Sequence, residues 1–241
     1  MTGGTTNGGA DRRDELVGGL EAVRARIATA CLRAGRDAAD VSLVVVTKFF
    51  PASDVRILAG LGVTEVGENR HQEAQVKAAA CADLGLRWHF IGGLQSNKAA
   101  AVASYADVVE SVDRAKLVGP LDRGATERGI RLPVLLQVSL DPPGADQRSG
   151  VEPDRLLALA GRVVAADALV LSGLMAVAPV GEDPREAFAR LVDVRSRLLA
   201  EHPDATVLSA GMSGDLEEAV EAGATHVRVG SAVLGSRPPV Q

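Results

Sequence analysis

Two hydrophobic rhythms alternate along this chain. One is a short, unbroken, β-branched apolar run, of the kind that Val41-Ser42-Leu43-Val44-Val45-Val46 opens. The other spaces apolar residues three and four apart. The first fits a strand buried on both faces, the second an amphipathic helix. The apolar runs end near Lys48, Asn69, Gly93, Asp113, Leu140, Val177, Gly214 and Leu234. Eight such runs are the number that a closed (β/α)8 barrel needs. The helical stretches between them are 54–61 (after Pro51, with Ser53 as cap), 70–81, 96–105, 114–128, 153–166, 184–202 and 215–222. A leading helix is predicted over 11–35, with Leu16, Leu20, Val23, Ile27 and Leu32 on one face and Gly35 as its stop. Residues 1–10 are mostly Gly, Thr and Asn and read as a disordered tail. No linker divides 11–241, which is expected to form one domain. The competing architecture is an open doubly wound sheet, but no Gly-x-Gly-x-x-Gly turn comes after the first run.

In a parallel barrel the C-terminal strand ends converge on the face that carries the chemistry. Lys48 closes the first run. Partial desolvation there would favour a neutral, nucleophilic amine suited to a Schiff base with an aldehyde. The plainer alternative is a strand-end lysine that reaches solvent. Glu68 and Asn69 either line the same mouth or satisfy backbone groups at a helix start. Ser213-Gly214-Asp215 and Gly230-Ser231 come after the seventh and eighth runs, where barrels often hold phosphate. Small residues there let backbone N–H groups approach an anion, and hydroxyls add donors. Taken singly, Ser213 is an N-cap and Gly230 a tight turn. Arg228 sits inside His226-Val227-Arg228-Val229 and needs a carboxylate or an open mouth. Beside a pyridine nitrogen it would stay charged, disfavour protonation of the ring and weaken it as an electron sink.

Composition narrows the partners. Apolar residues make up 46% of the chain, enough for a sizeable core, whereas aromatics are only 2%, with one Trp and one Tyr. Stacking platforms for nucleic acid are therefore nearly absent, and the net charge of −5 disfavours a phosphate backbone. Cys31 and Cys81 form neither a metal spacing nor a disulfide framework, which points to a reducing compartment. His71, His89, His202 and His226 are scattered without ligand spacing, and no run has the length of a membrane span.

Several stretches occur in order across 41–235: Val45-Val46-Thr47-Lys48, Gly67-Glu68-Asn69, Trp88-His89-Phe90-Ile91-Gly92, Leu94-Gln95-Ser96-Asn97-Lys98, Ser172-Gly173-Leu174-Met175, Gly211-Met212-Ser213 and Val227-Arg228-Val229-Gly230-Ser231. In them the chain resembles the pyridoxal phosphate homeostasis proteins, the YggS-like or proline synthase co-transcribed homologue family. The resemblance implies a fold type III barrel like the alanine racemase N-terminal domain. It also implies pyridoxal 5′-phosphate (PLP) as an internal aldimine on Lys48, its phosphate on Ser213, Gly230 and Ser231, and its ring nitrogen at Arg228. Asn69 and Met175 would line the pocket. The family is thought to buffer or deliver PLP in the cytoplasm without an established turnover. The partners this implies are PLP, amino acids and transiently met PLP-dependent apoenzymes, for a protein that acts as a monomer. Three departures stand out. Arg70 replaces a common aromatic, Gly93 a common Pro, and the loop 139–150 is richer in Pro and Gly than in relatives.

A PLP-dependent racemase or decarboxylase is the enzymatic alternative. A racemase needs a base on each face of the substrate carbon. Lys48 supplies one, while Tyr105, Cys31 and Cys81 fall in helical stretches away from the strand ends. A scaffold for another protein is a third reading, separated from the others by the presence of an aldehyde-derived absorbance band.

Overall fold

The apolar runs become β1 Ser42–Val46, β2 Glu65–Glu68, β3 Arg87–Phe90, β4 Val108–Val112, β5 Leu132–Gln137, β6 Leu169–Met175, β7 Val207–Ser209 and β8 His226–Val229. Each pairs in parallel with the next, and β1 closes on β8 through Ser42 opposite His226 and Val45 opposite Val229. The protein, seen as a computed structural model, is described over residues 7–141 and 149–236. The predicted closed barrel is what forms. Its β-branched strands are buried on both faces, as parallel strands must be when helices cover them.

The helices are α1 Asn7–Arg33, α2 Ala52–Gly60, α3 His71–Ala80, α4 Ala99–Ala103, α5 Val118–Arg128, α6 Leu156–Val164, α7 Pro184–Glu201, α8 Leu216–Glu221 and α9 Ser231–Leu234. Short 3-10 turns lead into α4, α5 and α6, so these begin as α-helices later than their sequence patterns suggest. The leading helix starts at Asn7, four residues before the expected Asp11, so 7–10 are helical rather than tail; residues 1–6 lie outside the described residues. Gly35 does stop it: at φ 64 it lets its own N–H reach Leu32 C=O and lets Arg36 N–H reach Cys31 C=O. Leu16, Leu20, Val23 and Ile27 are buried as expected, but Leu32 is 81% exposed, because Ala30 and Cys31 occupy the inward face of the last turn. In α2 the cap position belongs to Pro51, with Ser53 already inside the helix.

Two hydrophobic clusters wrap the barrel. One joins β4, β5 and β6 to α4, α5, α6 and α7; the other joins β1, β2 and β8 to α1, α2 and α8. The second fixes the site. Helix α1 crosses α9 so closely that a Cβ on Gly19 would overlap the Val233 carbonyl. Arg12 donates to Leu234 C=O at 3.1 Å and pairs with Asp54 at 2.6 Å. Arg26 grips Glu217 with two 2.7 Å bonds and donates to Ser213 C=O at 3.0 Å. The loops after β7 and β8 are thus braced from outside by the leading helix.

The barrel interior is not the usual stack of branched apolar residues. Glu110, fully buried on β4, accepts from Ser209 at 2.6 Å and sits 2.7 Å from His89 Nδ1. His89 Nε2 lies 3.2 Å from Glu65, and Arg228 3.9 Å from Glu110. Four strands besides β8 therefore contribute to one charged layer. Among the histidines that look scattered in sequence, His89 and His226 meet inside the barrel, with ring centroids 6.1 Å apart.

Candidate functional site at the barrel mouth

A cavity of about 290 Å³ opens at the C-terminal face between the ends of β1, β7 and β8. Its walls are Val46, Lys48, Phe49, Phe50, Ile91, Met212, Ser213, Gly214, Arg228, Gly230, Ser231 and Gly235. Five of the residues singled out in sequence thus meet: Lys48, Ser213, Arg228, Gly230 and Ser231. Two others stand back from the lining. Asn69 is half-buried and packed on Gly92, and Met175 is buried at the end of β6 opposite Gln137 and Ser209.

Strand β1 stops at Val46, so Lys48 occupies the turn after it rather than the strand end. Ser213 and Ser231 bring their hydroxyls within 3.2 Å, and Ala232 N–H reaches Ser213 Oγ at 3.4 Å. Ser213 does not cap α8. That position falls to Asp215, whose carboxylate turns back to accept from Met212 N–H at 2.6 Å. The Ser213 hydroxyl is left pointing across the gap between two loops. Gly230 passes so near β1 that a Cβ there would lie 3.1 Å from Val46 C=O, a tighter contact than side chains normally make.

Arg228 is buried, and its two terminal nitrogens are already used. One donates to Ser209 Oγ at 2.7 Å, the other to Ala176 C=O at 2.9 Å. Arg228 thus has a carboxylate partner, Glu110, 3.9 Å away and also forms part of the cavity wall. Burial pushes its pKa down, while Glu110 and Asp215 oppose this. Burial alone would raise the Glu110 carboxyl, but His89, Arg228 and the Ser209 bond outweigh it and hold the group at about 2. His89 is the mirror case: burial lowers it, yet Glu110 and Glu65 lift it to about 9.

Glu68 does not serve the start of α3. Its Oε1 accepts from Thr47 Oγ1 at 2.6 Å and from the buried Lys77 Nζ at 2.7 Å. Burial raises the Glu68 pKa in spite of that lysine. The Arg70 departure touches the rim, with its guanidinium 5.8 Å above the Phe49 ring that lines the cavity. A Cβ on Gly93 would lie 3.8 Å from Ser149 Oγ, in ordinary contact; most of the unusual loop, 142–148, lies outside the described residues. Tyr105 is stacked on His71 at 5.8 Å and takes no part in the cavity.

A lysine, a buried arginine and a double-serine rim at the C-terminal mouth of a parallel barrel make a lining suited to a small anionic molecule. Comparison with known proteins narrows that class. The family model for the alanine racemase N-terminal domain matches residues 19–238. The pyridoxal phosphate homeostasis protein of Mycobacterium tuberculosis is 45% identical over 246 residues, covering 94% of this chain and 95% of its own. The structure of PipY of Synechococcus elongatus with PLP bound is 36% identical, covers 88% of this chain and 100% of its own, and superposes with a TM-score of 0.76. A protein from Bifidobacterium adolescentis described as unknown is 34% identical, with a TM-score of 0.85 over 96% of this chain and 98% of its own. The chain belongs to the pyridoxal phosphate homeostasis protein family, within the alanine racemase N-terminal domain group.

Proposed function

We propose that this protein binds PLP at the barrel mouth and holds it for transfer, without turning over a substrate of its own. The observation that carries the reading is the single cavity that gathers Lys48, Arg228, Ser213 and Ser231. Its volume, about 290 Å³, is at the lower edge of small-ligand sites. The residues suit the cofactor at both ends. Two hydroxyls 3.2 Å apart, between Gly214 and Gly230, offer donors and close backbone approach to a phosphate. Lys48 offers an amine that can condense with the cofactor's aldehyde, forming a carbon–nitrogen double bond and releasing water.

When bound, PLP supplies an aldehyde and an electron-accepting ring. The neighbours of this chain limit the second property. Arg228 is a fixed cation whose presence at the wall disfavours another positive charge on a ring nitrogen. Among the described residues lining the cavity, Lys48 and Arg228 are the only ones with titratable side chains, so no second base stands opposite Lys48. That supports a carrier over a racemase. Amino acids that compete for the aldehyde would release the cofactor, and PLP-dependent apoenzymes would receive it from a monomeric, cytoplasmic donor.

The experiment is borohydride trapping of the PLP-loaded protein followed by peptide mapping. The label is expected on Lys48 and absent from Lys48→Ala, and pyridoxal without its phosphate is expected to bind far more weakly than PLP. Label on another lysine, or equal affinity for the two vitamers, would overturn the reading.

A further inference from the structure

Lys48 sits in a four-residue turn, Thr47 to Phe50, closed by Phe50 N–H to Thr47 C=O at 3.1 Å. The third residue of that turn, Phe49, has φ 73. Turns of this kind ordinarily place Gly or Asn there, and no other described non-glycine residue has a positive φ. A bulky side chain stays in such a conformation only where its surroundings hold it.

The holding groups come from β2 and α3. Phe49 N–H donates to Glu73 Oε1 at 2.6 Å. Lys77 Nζ donates to that same oxygen, to Glu68 Oε1 and to Thr47 C=O, each at 2.7 Å. Thr47 Oγ1 donates to Glu68 Oε1 at 2.6 Å. All three protons of the Lys77 ammonium are engaged. The residue before Lys48 is therefore fixed at its carbonyl and hydroxyl, and the residue after it at its N–H. Lys77 is 6% exposed and Glu68 1%. Buried ion pairs gain little stability over apolar packing, so their use here points to geometry.

We propose that Lys77, acting with Glu68 and Glu73, is a positioning residue that locks the Thr47–Phe50 turn and thereby presents the Lys48 amine to the cavity. The inference rests on Lys48 being the lysine that carries PLP, and it adds that a second, buried lysine sets how fast and how completely that link forms. Lys77 itself does not line the cavity.

The test compares PLP with pyridoxine 5′-phosphate, which has the ring and phosphate but no aldehyde. Wild type, Lys77→Met and Glu73→Ala are mixed with PLP, quenched with borohydride at intervals and mapped. Both variants are expected to label Lys48 at least about tenfold more slowly, the scale of losing a hydrogen bond to a charged group. Their affinity for pyridoxine 5′-phosphate is expected to stay within about twofold of wild type, because the serine rim is untouched. Wild-type labelling rates in both variants would overturn the proposal. Equal losses for the two ligands would also overturn it, since that is what general loosening produces. If Lys77→Met fails to fold, Glu73→Ala decides, because Glu73 reaches the surface of α3. Failure of wild type itself to label at Lys48 would instead sink the proposed function, so the two failures are distinguishable.

Discussion

His89 lies between two carboxylates, Glu110 at 2.7 Å and Glu65 at 3.2 Å, which favour its protonated form. Its pKa is raised from 6.5 to about 9, so its contribution to stability is complete below pH 6.5 and is lost as pH climbs through 9. Glu110 has the opposite sign. Its pKa is lowered from 4.5 to about 2, so its contribution is complete above 4.5 and fades as pH falls toward 2. The layer is therefore fully effective between these windows. Unfolding free energy, measured by urea titration, is expected to fall by on the order of 3 kcal/mol between pH 6.5 and 9 from this residue. In His89→Gln most of that slope should vanish; an unchanged slope would show that the imidazole is not charged in the fold. Residues of this layer differ in how far the sequence betrays them. Arg228 and Glu110 each interrupt an apolar strand, and a charge in such a run has to find a partner. Only the arginine is singled out by its neighbours Gly230 and Ser231. Lys77 carries no such signal, because α3 mixes polar residues with alanine and shows no clear apolar face, so a lysine there looks like any solvated residue.

At the scale of elements, α1 is the brace for the two loops that make the serine rim. Gly18 and Gly19 stand side by side in it and differ in one respect. A Cβ on Gly18 would meet nothing within 4 Å, whereas one on Gly19 would overlap the Val233 backbone in α9. Gly18→Ala should stabilise the protein by roughly 0.5–1 kcal/mol, the ordinary helix preference. Gly19→Ala should lose that gain and cost about 1–3 kcal/mol through overpacking. It should also weaken PLP binding, because the displaced helix begins at Ser231. Thermal melts of the two variants, with and without PLP, separate the effects; equal stabilisation by both would mean that α9 is free to move. Elements are the most legible level in the sequence. Parallel strands buried on both faces read as short apolar runs, and all eight are visible even where a charge such as Glu110 or Arg228 breaks the run. Their ends are less so. The last two runs continue to Gly214 and Leu234 in sequence, but β7 and β8 stop at Ser209 and Val229. Past Val229 the chain turns into the short α9, whose Val233 and Leu234 are apolar because they pack with α1 and not because they pair in a sheet. The early start of α1 at Asn7 is equally invisible, since Gly-Gly-Ala gives no hydrophobic period to read.

The molecule as a whole is a ring of strands with one join, where β1 meets β8. The cavity sits on that join, with Lys48 just past β1 and Arg228, Gly230 and Ser231 on or after β8. A ligand that holds both sides acts across the seam. At a hundredfold excess over its dissociation constant, PLP should add about 2.7 kcal/mol, or roughly 5–10 °C in melting temperature for a chain of this size. Hydrogen exchange should slow most at β1 and β8; protection spread evenly over β3 to β6 would contradict a bond across the join.

The same join has a consequence for how the chain is made. Synthesis delivers β1 and Lys48 before any other strand of the ring, and Arg228, Gly230 and Ser231, which face them, only with β8. Until then a ribosome-bound chain holds an incomplete ring, with the edge of β1 open and its lysine lacking the serines and arginine that would retain a phosphate. With the proposed site, no complete pocket for the cofactor exists until β8 has been made. On that reading, competence to take up PLP would come in one step, when β8 shuts the ring. If Lys48 carries PLP as proposed, a truncation anywhere before β8 would leave that lysine without Arg228, Gly230 and Ser231 beside it.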